Sequence, residues 1–385
     1  MNVYVRELTT ALARAGVECD VYTRAWSADL PAEVTVEPGF RLHHVPAGPL
    51  DTVAKEALPA VVDEFAENVG AMMRRVGEFD ALHANYWLSG LAGHRLKHEL
   101  ELPLVSTFHT LARVKAEASP EEVSSDEPHR RAEAEADIMR CSDIVLASCT
   151  VEAEQLAALY GADAERVRVV APGVDHAFFG PGHRPQARRA LGLDADVPLV
   201  LFVGRLQPLK RAEIALAVVD EIAKAQLVVV GGPSGPRAEA YRTRLEDEVD
   251  RRRLRDRVHF VDPQPHELLS SYYRAADVCL VPSRSESFGL VALEAAACGT
   301  PVVAAAVGGL TTLVDDGRTG FLVADDEPPS AYAAAVRRVL EDSLLAEQMG
   351  TAAVVRARRY TWARSAAVLR ATYEELAVGN LVECR

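Results

Sequence analysis

The sequence predicts an α/β fold made of two doubly wound, parallel-sheet domains of Rossmann-like type. Three observations carry that expectation. Short apolar, strand-like runs alternate with helical stretches along the whole chain, the pattern of parallel sheets flanked by helices. The 385 residues exceed what one ordinary hydrophobic core accommodates. Near the middle, Pro172-Gly173-Val174-Asp175 and then Gly180-Pro181-Gly182-His183-Arg184-Pro185 form a turn-rich break.

The first half has candidate strands at residues 17–23, 41–45, 80–85, 104–108, 144–147 and 167–170, with helical stretches between most of them. The second half restarts at 198–203 and continues at 226–231, 258–261, 277–281, 301–304 and 320–323. This places a first domain over residues 1–172, a linker over 173–197, a second domain over 198–358 and a terminal segment over 359–385. Residues 360–376 read as a long helix starting near Thr361-Trp362. Residues 115–130 are acidic and lack an apolar period, so they are expected to form a polar loop.

The opening is unusual for such a fold. A doubly wound domain ordinarily begins with a strand and a glycine turn, then a helix. Here the helix comes first, with Val5, Leu8 and Leu12 on one face. The expectation is that a strand and its glycine turn have been lost by truncation ahead of Met1.

Composition narrows the function classes. Hydrophobic residues make up 49% and charged residues 25%, as in soluble globular proteins. The net charge of −14 argues against nucleic acid or an anionic membrane surface as the main partner. No apolar run reaches the roughly 20 residues of a membrane-spanning helix, and the N-terminus lacks a signal-peptide plan. Six scattered cysteines without a Cys-x-x-Cys read as reduced thiols of a cytoplasmic protein, with neither disulfides nor a zinc site expected.

The segment 284–294, Arg-Ser-Glu-Ser-Phe-Gly-Leu-Val-Ala-Leu-Glu, carries the most chemistry. Glu286 and Glu294 bracket Ser287-Phe288-Gly289-Leu290, a turn at a helix start whose free N–H groups and partial positive charge suit a diphosphate. Upstream, Arg205 and Lys210 could neutralise a leaving diphosphate. The carboxylates can accept hydrogen bonds from sugar and ribose hydroxyls. A glutamate pair at this spacing is common on solvated helices; the ordered set of cations, turn and carboxylates is not. Asp194-Ala195-Asp196 has the form of a metal–diphosphate motif, but it lies in a polar turn before Pro198 and reads as a solvated loop.

This arrangement resembles the retaining family-4 glycosyltransferases, whose fold is GT-B, two Rossmann-like domains facing across a cleft. A closer resemblance is to the D-inositol-3-phosphate glycosyltransferases of mycothiol biosynthesis, and a more distant one to sucrose-phosphate synthases. Matching segments include Met1-Asn2-Val3-Tyr4-Val5, Tyr86-Trp87-Leu88-Ser89-Gly90, His109-Thr110-Leu111, Gln207-Pro208-Leu209-Lys210 and Ala305-Ala306-Val307-Gly308-Gly309-Leu310. The resemblance implies transfer of a sugar, foremost N-acetylglucosamine from UDP-N-acetylglucosamine, to 1D-myo-inositol 3-phosphate. Arg205, Lys210, Ser287, Phe288, Gly289, Leu290, Glu286 and Glu294 would hold the donor, with Glu286 on the sugar hydroxyls and Glu294 on the ribose. Lys55, Tyr86, Thr110 and Arg131, or its neighbour Arg130, would hold the acceptor phosphate. Asn2 would touch the acceptor ring and Lys115 would stand near the phosphate. His109, at a strand end, would contact the donor sugar or orient the reacting groups. The resemblance further implies no cofactor, no catalytic metal, a terminal helix crossing back to the first domain, and a possible homodimer. Three rival readings remain: transfer to an aminocyclitol or other small alcohol, a catalytically impaired nucleotide-sugar-binding paralogue, and a sugar-nucleotide epimerase.

Overall fold

The computed structural model describes residues 2–118, 127–235 and 238–384. The chain divides into two compact units, residues 1–173 with 362–385, and residues 174–361.

The first unit opens on α1 (Asn2–Arg14), followed by β1 (Cys19–Arg24), β2 (Glu33–Glu37), β3 (Phe40–Val45) and α2 (Val62–Val76). It continues with β4 (Leu82–Asn85), α3 (Trp87–Leu100), β5 (Leu104–Thr107), α4 (Ala112–Ala118), α5 (Glu127–Cys141), β6 (Ile144–Ala147), α6 (Thr150–Tyr160) and β7 (Val167–Val169). Its strands fall into a three-stranded sheet of order β1-β3-β2 and a parallel four-stranded sheet of order β4-β5-β6-β7. Strands β5 and β6 are buried at every position, so they are continuous apolar runs rather than alternating ones.

The second unit holds α7 (Arg184–Ala190), β8 (Leu199–Val203), α8 (Ala212–Glu221), β9 (Gln226–Val230), α9 (Ala238–Arg251), β10 (Val258–Val261), α10 (His266–Ala275) and β11 (Val278–Val281). Then come α11 (Leu290–Ala297), β12 (Val302–Ala305), α12 (Leu310–Leu313), β13 (Gly320–Val323), α13 (Pro329–Glu341) and α14 (Ser343–Ala357). Its single six-stranded sheet is parallel throughout, in the order β10-β9-β8-β11-β12-β13. That is the doubly wound order, whose reversal between β8 and β11 creates a switch point where the loops on either side diverge. Val200, Phe202, Leu227, Val229, Leu280 and Val303 fill the core against α8 and α13.

The last helix, α15 (Trp362–Ala377), belongs to the first unit. Trp362, Ala366 and Leu369 share a core with Tyr4, Leu8 and Leu12 of α1, and Trp362 stacks edge-on against Tyr4 at 5.5 Å.

The structure departs from the sequence expectations at four places. Strand β2 was not expected, and it pairs antiparallel with β3, so the first unit is not wholly parallel. Residues 174–197 are packed structure of the second unit, not a free linker. Arg188 of α7 is buried and ion-paired to Asp277 at 2.6 Å, while Asp277 also accepts from the Leu199 backbone at 2.7 Å. The loop expected over 115–130 is helical at its two ends, residues 115–118 and 127–130, and its middle lies outside the described residues.

The cysteine expectation also fails at one pair. Cys141 and Cys384 are joined as a disulfide, 243 residues apart in sequence, with Cα atoms 5.0 Å apart. The tail runs back beside α5, where the Val382 N–H donates to Asp143 Oδ1 at 2.7 Å. No local spacing could announce so distant a pairing. Cys19, Cys149, Cys279 and Cys298 lie outside that disulfide. Among the described residues no helix is long and apolar enough to cross a membrane.

Candidate active site

In the second unit, the expected donor residues gather on the loops flanking the switch point. Lys210 lies in the turn after β8 and Glu286 in the turn after β11, and the two side chains form an ion pair. The Arg284 N–H donates to the Leu209 carbonyl at 2.9 Å, so the two turns are bonded through backbone as well. Ser283, itself buried, sets its hydroxyl 3.5 Å from the same Glu286 oxygen that meets Lys210. Arg205 is exposed and has no ion-pair partner among the described residues.

Gly289 precedes α11 with φ +102°, a left-handed conformation that an L side chain strains to adopt. It turns the chain so that the backbone N–H groups of the first turn of α11 are left without intrahelical acceptors, the ordinary state of a helix start and an anion-binding one. The turn after β12 presses on this segment. The Gly309 N–H donates to the Glu286 carbonyl at 2.9 Å, and a Cβ on Gly309 would lie 2.4 Å from Phe288 Cα. Two turns that are separate in sequence thereby hold the Glu286–Phe288 backbone in place.

Glu294 sits one turn inside α11, only 6% exposed. Both of its oxygens are engaged: Oε1 meets His266 Nε2 at 2.8 Å and Oε2 accepts from the Tyr273 hydroxyl at 2.7 Å. Burial and the neighbouring carboxylate push the Tyr273 phenol up, which keeps it a donor. Sequence reasoning missed His266 and Tyr273; both lie on α10, and nothing in their local sequence links them to α11.

In the first unit, Lys55 and Arg131 of the expected acceptor residues lie beside one ring, that of Tyr86. Tyr86 follows β4 and His109 lies two residues after β5, at the carboxyl ends of adjacent parallel strands where such sheets bind ligands. Both have positive φ, 82° for Tyr86 and 61° for His109, which is costly for residues with a Cβ and is held by their surroundings. Lys55 Nζ lies 5.7 Å from the Tyr86 ring centroid and the Arg131 guanidinium 5.1 Å from it. Arg131 Nη2 donates to the Thr110 carbonyl at 2.6 Å and reaches its hydroxyl at 3.0 Å. Arg130 is exposed while Arg131 is buried, so Arg131 is the arginine at this ring.

Glu135 was not anticipated and holds this cluster. It is fully buried, pairs with Arg131 Nε at 2.7 Å and accepts the Ala112 N–H at 2.9 Å. An arginine and a glutamate four apart on a helix is a spacing that could have flagged it.

His109 sets its Nε2 2.9 Å from Asn85 Oδ1 and packs edge-on against Tyr4 at 4.7 Å. Burial pushes its pKa down to about 3, so the ring is neutral at physiological pH. His83 is a structural histidine: Nδ1 meets the Tyr373 hydroxyl at 2.7 Å and Nε2 the Thr107 hydroxyl at 2.8 Å. Asn2 is exposed at the start of α1, two residues before the Tyr4 that touches His109. Lys115 is half-buried on α4. The Asp194-Ala195-Asp196 turn is exposed, with Asp194 bonding the Asp196 N–H at 2.9 Å.

The chain is similar to known proteins over most of its length. Residues 1–178 match the family described as Glycosyltransferase Family 4, and residues 183–356 match Glycosyl transferases group 1. The D-inositol 3-phosphate glycosyltransferase of Acidothermus cellulolyticus is 45% identical over 372 residues, covering 94% of this chain and 82% of that protein. The protein of the same name from Geodermatophilus obscurus is 44% identical, covering 99% and 86%. Among solved structures, sucrose-phosphate synthase from Thermosynechococcus elongatus aligns with a TM-score of 0.91 at 36% identity, covering 97% of this chain and 93% of that one. The chain belongs to the family-4 glycosyltransferases of the GT-B fold, the family of these D-inositol 3-phosphate glycosyltransferases.

Proposed function

We propose that this glycosyltransferase moves N-acetylglucosamine from UDP-N-acetylglucosamine to 1D-myo-inositol 3-phosphate with retention at the anomeric carbon. One observation carries the acceptor: Lys55, Arg131 and Thr110 converge on Tyr86 from three separate segments. Two cations drawn to one ring, one of them paired with Glu135, suit a phosphate dianion. The names of the relatives support the same acceptor.

On the donor side, Arg205 and Lys210 meet the diphosphate together with N–H groups at the start of α11. Lys210 is paired to Glu286 in this structure, so an incoming diphosphate shares or takes over that cation. Glu286 then accepts from the sugar hydroxyls. Glu294 faces the ribose with its oxygens already oriented by His266 and Tyr273. A carboxylate tied to Lys210 and Ser283 makes a poor nucleophile, which favours attack on the donor's front face. In that step the bond from the anomeric carbon to the diphosphate oxygen breaks as the bond to the acceptor oxygen forms. The acceptor's proton passes to the leaving phosphate. His109, neutral, orients through a hydrogen bond and carries no charge into the step.

The test is a mass-spectrometric product assay with UDP-N-acetylglucosamine and inositol 3-phosphate. A glycosylated inositol phosphate together with UDP is expected. Product with unphosphorylated cyclitols alone would overturn the acceptor reading, and UDP-sugar binding without turnover of any acceptor would point to a non-catalytic relative.

A further inference from the structure

Four side chains outside both proposed ligand sets are not used by the proposed sugar transfer. His94 and His98 stand four residues apart on α3, on one helical face, with ring centroids 5.2 Å apart. Cys141 ends α5 and Cys384 arrives from the tail. One donor atom from each of the four lies within 4.8 Å of all the others. A disulfide between the cysteines calls for no imidazole, yet two flank it, and His98 Nε2 is 3.4 Å from Cys141 Sγ. Two ligands bound tetrahedrally to one zinc ion, at about 2.3 Å for sulfur and about 2.0 Å for nitrogen, stand roughly 3.5 Å apart.

We propose that, when Cys141 and Cys384 are reduced, His94, His98, Cys141 and Cys384 form a tetrahedral two-nitrogen, two-sulfur site for zinc. Reduction by a thiol reductant breaks the S–S bond, converting the reductant to its own disulfide. Each cysteine thiol then gives up one proton as its sulfur binds the metal. Two thiolates and two neutral imidazoles offset the charge of the dication and match the ligand preference of zinc.

The surroundings are built to hold these ligands. Lys97, between the two histidines in sequence, is buried and donates to the Cys141 carbonyl at 2.9 Å and to Asp143 Oδ2 at 2.6 Å. The other oxygen of Asp143 takes the Val382 N–H, two residues before Cys384. One buried ion pair therefore positions both cysteines, and the site clips the tail that follows α15 to α3 and α5.

The experiment uses the full chain, purified with a phosphine reductant, loaded with zinc and passed over chelating resin. Bound metal is counted by elemental analysis, and cobalt is substituted to record its spectrum. We expect roughly one zinc per chain and a thiolate-to-cobalt charge-transfer band in the near ultraviolet. His98→Ala, at an exposed position, and Cys384→Ser should each bring the count close to zero while circular dichroism stays native. If the tail variant fails to fold, the cobalt spectrum of the unmodified chain decides the matter. Reduced protein that retains no zinc, or zinc that both variants retain in full, would overturn the proposal. A disulfide that persists under the reductant, with no cobalt band, would do the same.

Discussion

The two units solve similar problems with different materials. The proposed donor set in the second unit is largely backbone: glycine turns, a helix start and one Lys210–Glu286 pair on the two loops that part at the sheet's switch point. The proposed acceptor set in the first unit is largely side chain: Lys55 and Arg131 come from separate segments to the ring of Tyr86, a residue held in a strained conformation, and Thr110 is bonded to Arg131. Backbone donors suit what every nucleotide sugar shares, its diphosphate. Side chains from scattered loops suit what distinguishes one acceptor from another.

The comparison can be broken most sharply at Arg131. Its partner Glu135 is fully buried, so Arg131→Ala leaves an unpaired interior carboxylate and should cost about 3–5 kcal/mol of stability. Denaturant unfolding measures it, and a loss below about 1 kcal/mol would show that the cluster is looser than its distances suggest. In the second unit the large effect should fall on rate instead. Lys210→Ala should lower kcat by about 10²–10³-fold with little change in melting temperature, because the pair with Glu286 is partly exposed. Steady-state kinetics and a thermal melt together check this, and an unfolded variant with no rate to measure would contradict it. Tyr273→Phe sharpens the role of Glu294. It removes one of two oriented donors to that carboxylate and should raise the donor KM by roughly tenfold while leaving the acceptor KM alone. An unchanged donor KM would make Glu294 a packing residue.

The same contrast governs what could be read from the sequence. The donor site was legible because its residues lie close together: Glu286 to Glu294 form one contiguous segment, and Lys210 follows its strand by a few residues. All six strands of the second unit were found, since each is a short apolar run between helices. In the first unit, β2 escaped although Glu33-Val34-Thr35-Val36-Glu37 alternates at a strand's period. It is an exposed, charged edge strand, unlike the buried runs that mark the other strands. The acceptor residues could be gathered only by resemblance, since no spacing links Lys55 to Arg131. His266 and Tyr273 act by holding a side chain on another helix, and long-range holding of this kind has no local signature, whereas Glu135 stands only four residues after Arg131. The joining of Cys141 to Cys384 fails the same test, and it overturned the expectation of six free thiols. Residues 173–197 were read as a linker because their prolines and glycines obscured Arg188, whose buried pairing with Asp277 fastens α7 to the second unit.

The most direct measurement is the pair of Michaelis constants for Lys55→Ala, with UDP-sugar and phosphorylated acceptor varied in turn. Lys55 is exposed and lies over the face of Tyr86, so its removal should leave folding intact. The account predicts that the acceptor KM rises by about tenfold or more while the donor KM stays within twofold, roughly the loss of one charge-assisted contact to phosphate. Equal weakening of both substrates would contradict the assignment of one ligand set to each unit.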